Sequence, residues 1–196
     1  MLCGVKPKIL IGLAGLAMAG SVPLAQAQAQ TQTQTQAQAS EPGTQGGIGI
    51  HLGLGNRYTR LGLQYETATL WTHSFGGSLG RVDLTPEFGV AYWRAHDGQQ
   101  PGSVWQLSAT PMLRWWIGAS QRFYVEAGIG PTVFNHTSFA GKEYSTALQF
   151  GDHIGMGYLL DRHSRVGVRL SHYSNADIKT PNPGMEVIQA TYSYQF

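Results

Sequence analysis

From about residue 47 onward, apolar and polar positions alternate along the chain. In GGIGIHLGLG, Ile48, Ile50, Leu52 and Leu54 share one face, and Gly49, His51, Gly53 and Gly55 share the other. Leu61, Leu63 and Tyr65 alternate with Arg60, Gly62, Gln64 and Glu66. Leu84, Phe88, Val90 and Tyr92 oppose Asp83, Thr85, Glu87 and Gly89. The pattern recurs around Trp105–Ile117, Phe123–Gly130 and Leu148–Tyr158. A repeat of two residues is the period of a half-buried strand. It predicts eight strands, at about 46–56, 58–71, 78–95, 103–117, 121–135, 145–160, 164–174 and 185–196. No run of 18 apolar residues follows Gly47, so no transmembrane helix is expected there.

A soluble sandwich would alternate in the same way. Three features favour a closed barrel in a membrane. The polar face is rich in Gly with isolated charges, as a narrow lumen requires. Trp and Tyr recur near strand ends, as in interfacial girdles. The last residue, Phe196, is aromatic. The expected fold is therefore all-β: an eight-stranded antiparallel transmembrane β-barrel of the bacterial outer membrane. An even strand count places short turns at 72–77, 118–120 and 161–163 on the periplasmic side. The longer connections at 96–102, 136–144 and 175–184 then fall outside.

Composition changes this picture little. Of 196 residues, 26 are Gly and 12% are charged, and the mean hydropathy of -0.17 reflects dispersed apolar residues. Residues 1–27 read as a secretory signal peptide, with Lys6 and Lys8 before the apolar run ILIGLAGLAMAG and a cleavage site in AQA ending at Ala27, or two residues later at Ala29. Residues 28–45, rich in Gln, Ala and Thr, read as a disordered linker, and residues 46–196 as the barrel. Without Lys6 and Lys8, basic and acidic residues balance at 11 each, which removes any argument for nucleic-acid binding. The only cysteine, Cys3, lies in the leader, so the barrel has neither a disulfide nor a thiolate metal site. His51 and His153 fall on the lumen face, where hydrogen bonding accounts for them better than a metal does.

The chemistry concentrates in the last hairpin. Val166, Val168 and Leu170 set the lipid-facing parity of one strand, and steps of two lead to His172 and Ser174. In the next strand the face carrying Ile188, Ala190, Tyr192, Tyr194 and Phe196 extends back to Glu186. All three polar residues thus share the outward parity, while Arg165, Arg169, Thr191 and Gln195 face the lumen. If Ser174 stands opposite Glu186, His172 is diagonal to the acid. Asp152 shares the outward parity of Phe150 and Ile154 and falls near His172 or Ser174. It is either a support for the histidine or an interfacial charge. Arg57, Arg60 and Lys179 are candidates for lipid phosphates at the outer rim, or simply solvated charges.

The stretch HYSNADIKTPNPGMEV resembles the terminal motif of the lipid A 3-O-deacylase (PagL) family: His172, Ser174, Asn175, Ala176, Lys179, Pro181, Asn182, Gly184 and Glu186 stand at its spacing. RLGL, EAGIG and VGVR extend the similarity over roughly residues 46–196. The resemblance implies a serine esterase without metal or other cofactor, which removes the ester-linked acyl chain at position 3 of lipid A. It implies Ser174 as nucleophile, His172 as general base and Glu186 as its orienting acid. Asn175 and the backbone after it would form the oxyanion hole, with Asn182 and Asp152 in support. Asp177 departs from the family, which often has Gly there, and adds a side chain and a charge beside the oxyanion hole. The substrate partner would be lipopolysaccharide in the outer leaflet. A homodimer is compatible with the sequence, which does not fix the oligomeric state. The alternatives are an outer-membrane phospholipase using the same trio, and a non-catalytic barrel for adhesion or envelope stability.

Overall fold

The computed structural model describes residues 45–96 and 98–196. The leader and nearly all of the linker expected at 1–45 lie outside the described residues. The strands are β1 (Gly47–Gly55), β2 (Tyr58–Glu66), β3 (Trp71–Gly76), β4 (Gly80–Ala95), β5 (Ser103–Ile117), β6 (Phe123–Phe134), β7 (Ser138–Phe139), β8 (Lys142–Glu143), β9 (Leu148–Leu159), β10 (Ser164–Ser174) and β11 (Met185–Gln195). All pairings are antiparallel, and the β2–β4 ladder closes the sheet into a barrel of eight strands: β1, β2, β4, β5, β6, β9, β10 and β11. Closure pairs each of these eight strands on both sides, the condition for a sheet to stand in hydrocarbon, while β3 pairs with β4 alone among the described residues.

Alternation sorts the side chains as expected. Ile48, Ile50, Leu52, Leu54, Leu61, Leu63, Val168, Leu170 and Ile188 project outward and are exposed. This apolar belt is what lipid solvates. The opposite parity fills the lumen with paired charges. Arg169 bonds Glu87 at 2.8 Å and Glu126 at 2.7 Å. Arg114 reaches the same two carboxylates at 3.1 and 3.0 Å, and Arg165 pairs with Glu66. Toward the loop that joins β10 and β11 the lumen changes character. Tyr58, Trp93, Phe134, Phe139, Tyr144 and Tyr173 pack there as a buried aromatic plug. The barrel interior is therefore a packed core rather than a channel.

Three details differ from the alternation reading. The stretch expected as a turn at 72–77 is mostly strand: β3 pairs with the first part of β4, and the turn falls at Gly77–Leu79. The line of β2 continues into β3 through a bulge, because Glu66 faces Glu87 whereas Trp71 already faces Leu84. Thr67 donates to the Pro86 carbonyl across this bulge. Pro86 has no N–H to offer the ladder, and a bulge tolerates that gap. Second, Arg60 is not at the rim. It is buried in the lumen, donating to Gln106 at 3.1 Å and Gln189 at 2.6 Å. Third, the connection after β6 carries the small β7–β8 hairpin.

At the end opposite the β10–β11 loop, the β9–β10 turn is held by Asp161. Its Oδ1 accepts the N–H groups of His163 and Ser164 at 2.8 Å each, and these bonds hold the carboxyl below the usual aspartate range.

Candidate active site

Strands β10 and β11 place His172 directly opposite Glu186, with Tyr173 opposite Met185. The sequence left open a register with Ser174 opposite Glu186. The observed register is shifted, so Ser174 is level with the loop beyond β11 and the histidine meets the acid face to face. His172 Nδ1 lies 3.1 Å from Glu186 Oε1. Both side chains open outward, with 43% and 66% of their surface exposed. Ser174 follows two residues after His172 on the same face and is half-buried. Among the described residues no hydrogen bond joins its hydroxyl to His172.

Gly184 explains how the imidazole fits. A Cβ there would stand 2.5 Å from His172 Cε1 and 3.3 Å from Nε2. Its φ of 65° also lies in the left-handed region, which glycine adopts freely. The side of the ring that carries Nε2 thus rests against bare backbone. With Nδ1–H donated to Glu186, Nε2 is left as an acceptor.

Asn175 points inward and is buried. Its Nδ2 donates to the carbonyls of Tyr144 at 3.1 Å and Lys179 at 2.7 Å, and its backbone N–H donates to Asn182 Oδ1 at 3.0 Å. All of these donors are engaged in holding the loop. The Ile178 N–H goes to the Asn175 carbonyl. Ala176 and Asp177, at φ 52° and 58°, turn between these two bonds. Two successive non-glycine residues at positive φ make this a tight turn. The Asp177 carboxylate is held by Asn182 Nδ2 at 2.9 Å.

Asp152 stands directly across from His172 on the other side, in β9, without a hydrogen bond to it. Tyr58 donates its hydroxyl to the Glu186 carbonyl at 2.9 Å, a contact that alternation alone could not reveal. Lys142, another residue missed in the sequence, lies 3.8 Å from Glu186 Oε2. Lys179 is exposed on the loop, and Arg57 is exposed at the β1–β2 turn. His51 and His153 are lumen residues, and His153 Nδ1 shares a 2.7 Å hydrogen bond with Ser171. Among the described residues no group of three His, Cys, Asp or Glu side chains is placed to hold a metal ion.

Below His172 and Glu186 an open groove of about 1200 Å³ crosses the outward face. Leu54, Leu113, Ile129, Ile154, Leu170 and Ile188 line it, with Asp152, His172 and Glu186 among its polar groups. Such a surface matches an extended acyl chain better than a polar substrate.

Fold and site together define a class: a small outer-membrane β-barrel whose polar trio faces the lipid rather than the lumen. Comparison with known proteins narrows this. The sequence model of the lipid A 3-O-deacylase (PagL) family matches residues 57–195. The lipid A deacylase PagL of Bordetella bronchiseptica is 54% identical over 191 residues, covering 97% of each chain. The lipid A deacylase PagL of Pseudomonas aeruginosa is 34% identical over 134 residues, covering 68% of this chain and 75% of that one. A crystal structure of the outer membrane enzyme PagL superimposes with a TM-score of 0.64 at 28% identity, covering 76% of this chain and 99% of that one. The chain belongs to the lipid A 3-O-deacylase (PagL) family of outer-membrane enzymes.

Proposed function

We propose that this protein removes the ester-linked 3-hydroxyacyl chain from position 3 of lipid A, working at the outer end of the barrel with Ser174, His172 and Glu186. The observation that carries this reading is the His172–Glu186 pair at the head of a lipid-facing apolar groove. Ser174 stands two residues further along the same face.

The chemistry follows from the geometry. The acyl chain lies in the groove, and its ester carbonyl comes up to Ser174. Ser174 Oγ attacks the carbonyl carbon while its proton passes to His172 Nε2. Glu186 at Nδ1 fixes the tautomer and stabilises the imidazolium that results. The tetrahedral oxyanion takes hydrogen bonds from the N–H groups of Ala176 and Asp177, in the place of glycine at the second position. Collapse breaks the bond to the sugar oxygen O3, which leaves with the proton from His172. Water, deprotonated by the same histidine, then hydrolyses the acyl-serine and releases the fatty acid. A lipid-facing site lets the substrate arrive laterally, without extraction into water.

The test is mass spectrometry of lipid A from cells that express the wild type or Ser174→Ala. The wild type should remove one 3-hydroxyacyl chain and the variant none. Intact lipid A with release of phospholipid fatty acids would indicate a phospholipase. No change in either lipid would indicate a non-catalytic barrel.

A further inference from the structure

Lys142 belongs to β8, in the arm that follows β6, far in sequence from the catalytic hairpin. Its ammonium donates to the Gly184 carbonyl at 2.5 Å and lies 3.8 Å from Glu186 Oε2. The other carboxylate oxygen, Oε1, lies 3.1 Å from His172 Nδ1. The carboxylate is thus held from two sides, one oxygen for each partner. Glu186 has an exposed, flexible stem, and a single bond to the histidine leaves the carboxylate free to rotate away. The backbone carbonyl anchors Lys142, and that carbonyl belongs to Gly184, the residue whose missing Cβ admits the imidazole.

The same arm touches the catalytic loop twice more: Ser145 Oγ donates to the Pro181 carbonyl at 2.7 Å, and the Tyr144 carbonyl accepts from Asn175 at 3.1 Å. Those contacts hold the loop as a unit. Lys142 is the contact that reaches the acid.

We propose that Lys142 is a positioning residue for the reaction: anchored on the Gly184 carbonyl, it orients Glu186 toward His172. The proposal rests on the Ser174–His172–Glu186 reading given above. When His172 becomes cationic during attack, Glu186 lies between two cations. The shorter contact to the histidine keeps its charge directed there.

The experiment uses the full chain folded in detergent micelles. Gel mobility before and after boiling confirms that each variant is a folded barrel. Turnover of purified lipid A is measured for Lys142→Met, Lys142→Arg, Glu186→Gln and the double variant Lys142→Met/Glu186→Gln. Lys142→Met should lower kcat about tenfold, by loosening the acid. KM should stay within about twofold, because no substrate contact is lost. Lys142→Arg should restore most of the loss. In the Glu186→Gln background, Lys142→Met should cost nothing further, because its effect passes through the carboxylate. A raised KM with unchanged kcat would overturn the proposal and make Lys142 a substrate-binding group. An equal loss in both backgrounds would also overturn it, by showing an effect on the arm rather than on Glu186. Full activity of Glu186→Gln alone would remove the triad reading itself, and this proposal with it.

Discussion

Gly184 is the residue on which the fit of the imidazole depends. Alanine there would bring Cβ to 2.5 Å from His172 Cε1 and impose a left-handed φ on a residue that resists it. Gly184→Ala should therefore lower kcat by about 10²-fold, the scale expected when a catalytic group is displaced by about 1 Å. Steady-state kinetics on lipid A, with the boiled and unboiled gel as the folding control, checks this. At this scale the sequence was informative about identity and face. His172, Ser174 and Glu186 all keep the outward parity that counting in twos gives them, and the structure places each of them outward. It was silent on partners. Lys142 and Tyr58 reach Glu186 from chain segments brought together only by the closed barrel, and the Asn182 bond that holds Asp177 depends on the conformation of their shared loop.

Among the elements, strand positions were legible because lipid on one side and a packed lumen on the other enforce strict alternation. The observed β4, β5 and β10 lie within two residues of their expected limits. Irregularities were not legible. The β2–β3 bulge keeps outward residues outward while absorbing extra chain, so periodicity runs across it unmarked. The pairing of the last hairpin also escaped, because it depends on the loop conformation. Ala176, Asp177 and Gly184 at positive φ set where β11 begins against β10, and they seat Glu186 opposite His172 rather than Ser174. The β7–β8 arm was hidden for a similar reason. Two-residue strands are too short to show a period, yet they carry the side chain that reaches the acid.

For the whole molecule, the outward face meets lipid and the His172–Glu186 pair opens onto it, so the lumen is free to serve as the core. That core is ionic in one half and aromatic in the other. Parity identified its charged members, but not how they pair, because Arg169 meets Glu87 from 82 positions away. Both carboxylates lose a partner in Arg169→Met. Glu87 and Glu126 would then share Arg114 alone in place of two arginines; removing one partner from a buried ion-pair cluster costs about 3–5 kcal/mol, so the unfolding midpoint in urea should fall markedly. Activity per folded molecule should stay close to wild type, because Arg169 touches no residue of the trio. A loss of kcat without loss of stability would contradict this division between core and site.

Ser174 Oγ is the proposed attacking atom, and covalent trapping tests that role most directly. A long-chain alkyl phosphonate, which reacts with activated serine and mimics the tetrahedral intermediate, is incubated with the folded full chain. Peptide mass mapping then locates the adduct. The expected result is one adduct on Ser174, absent in His172→Ala, with activity lost in proportion to labelling. An adduct on another residue, or an unlabelled Ser174 in enzyme that the reagent has inactivated, would contradict it.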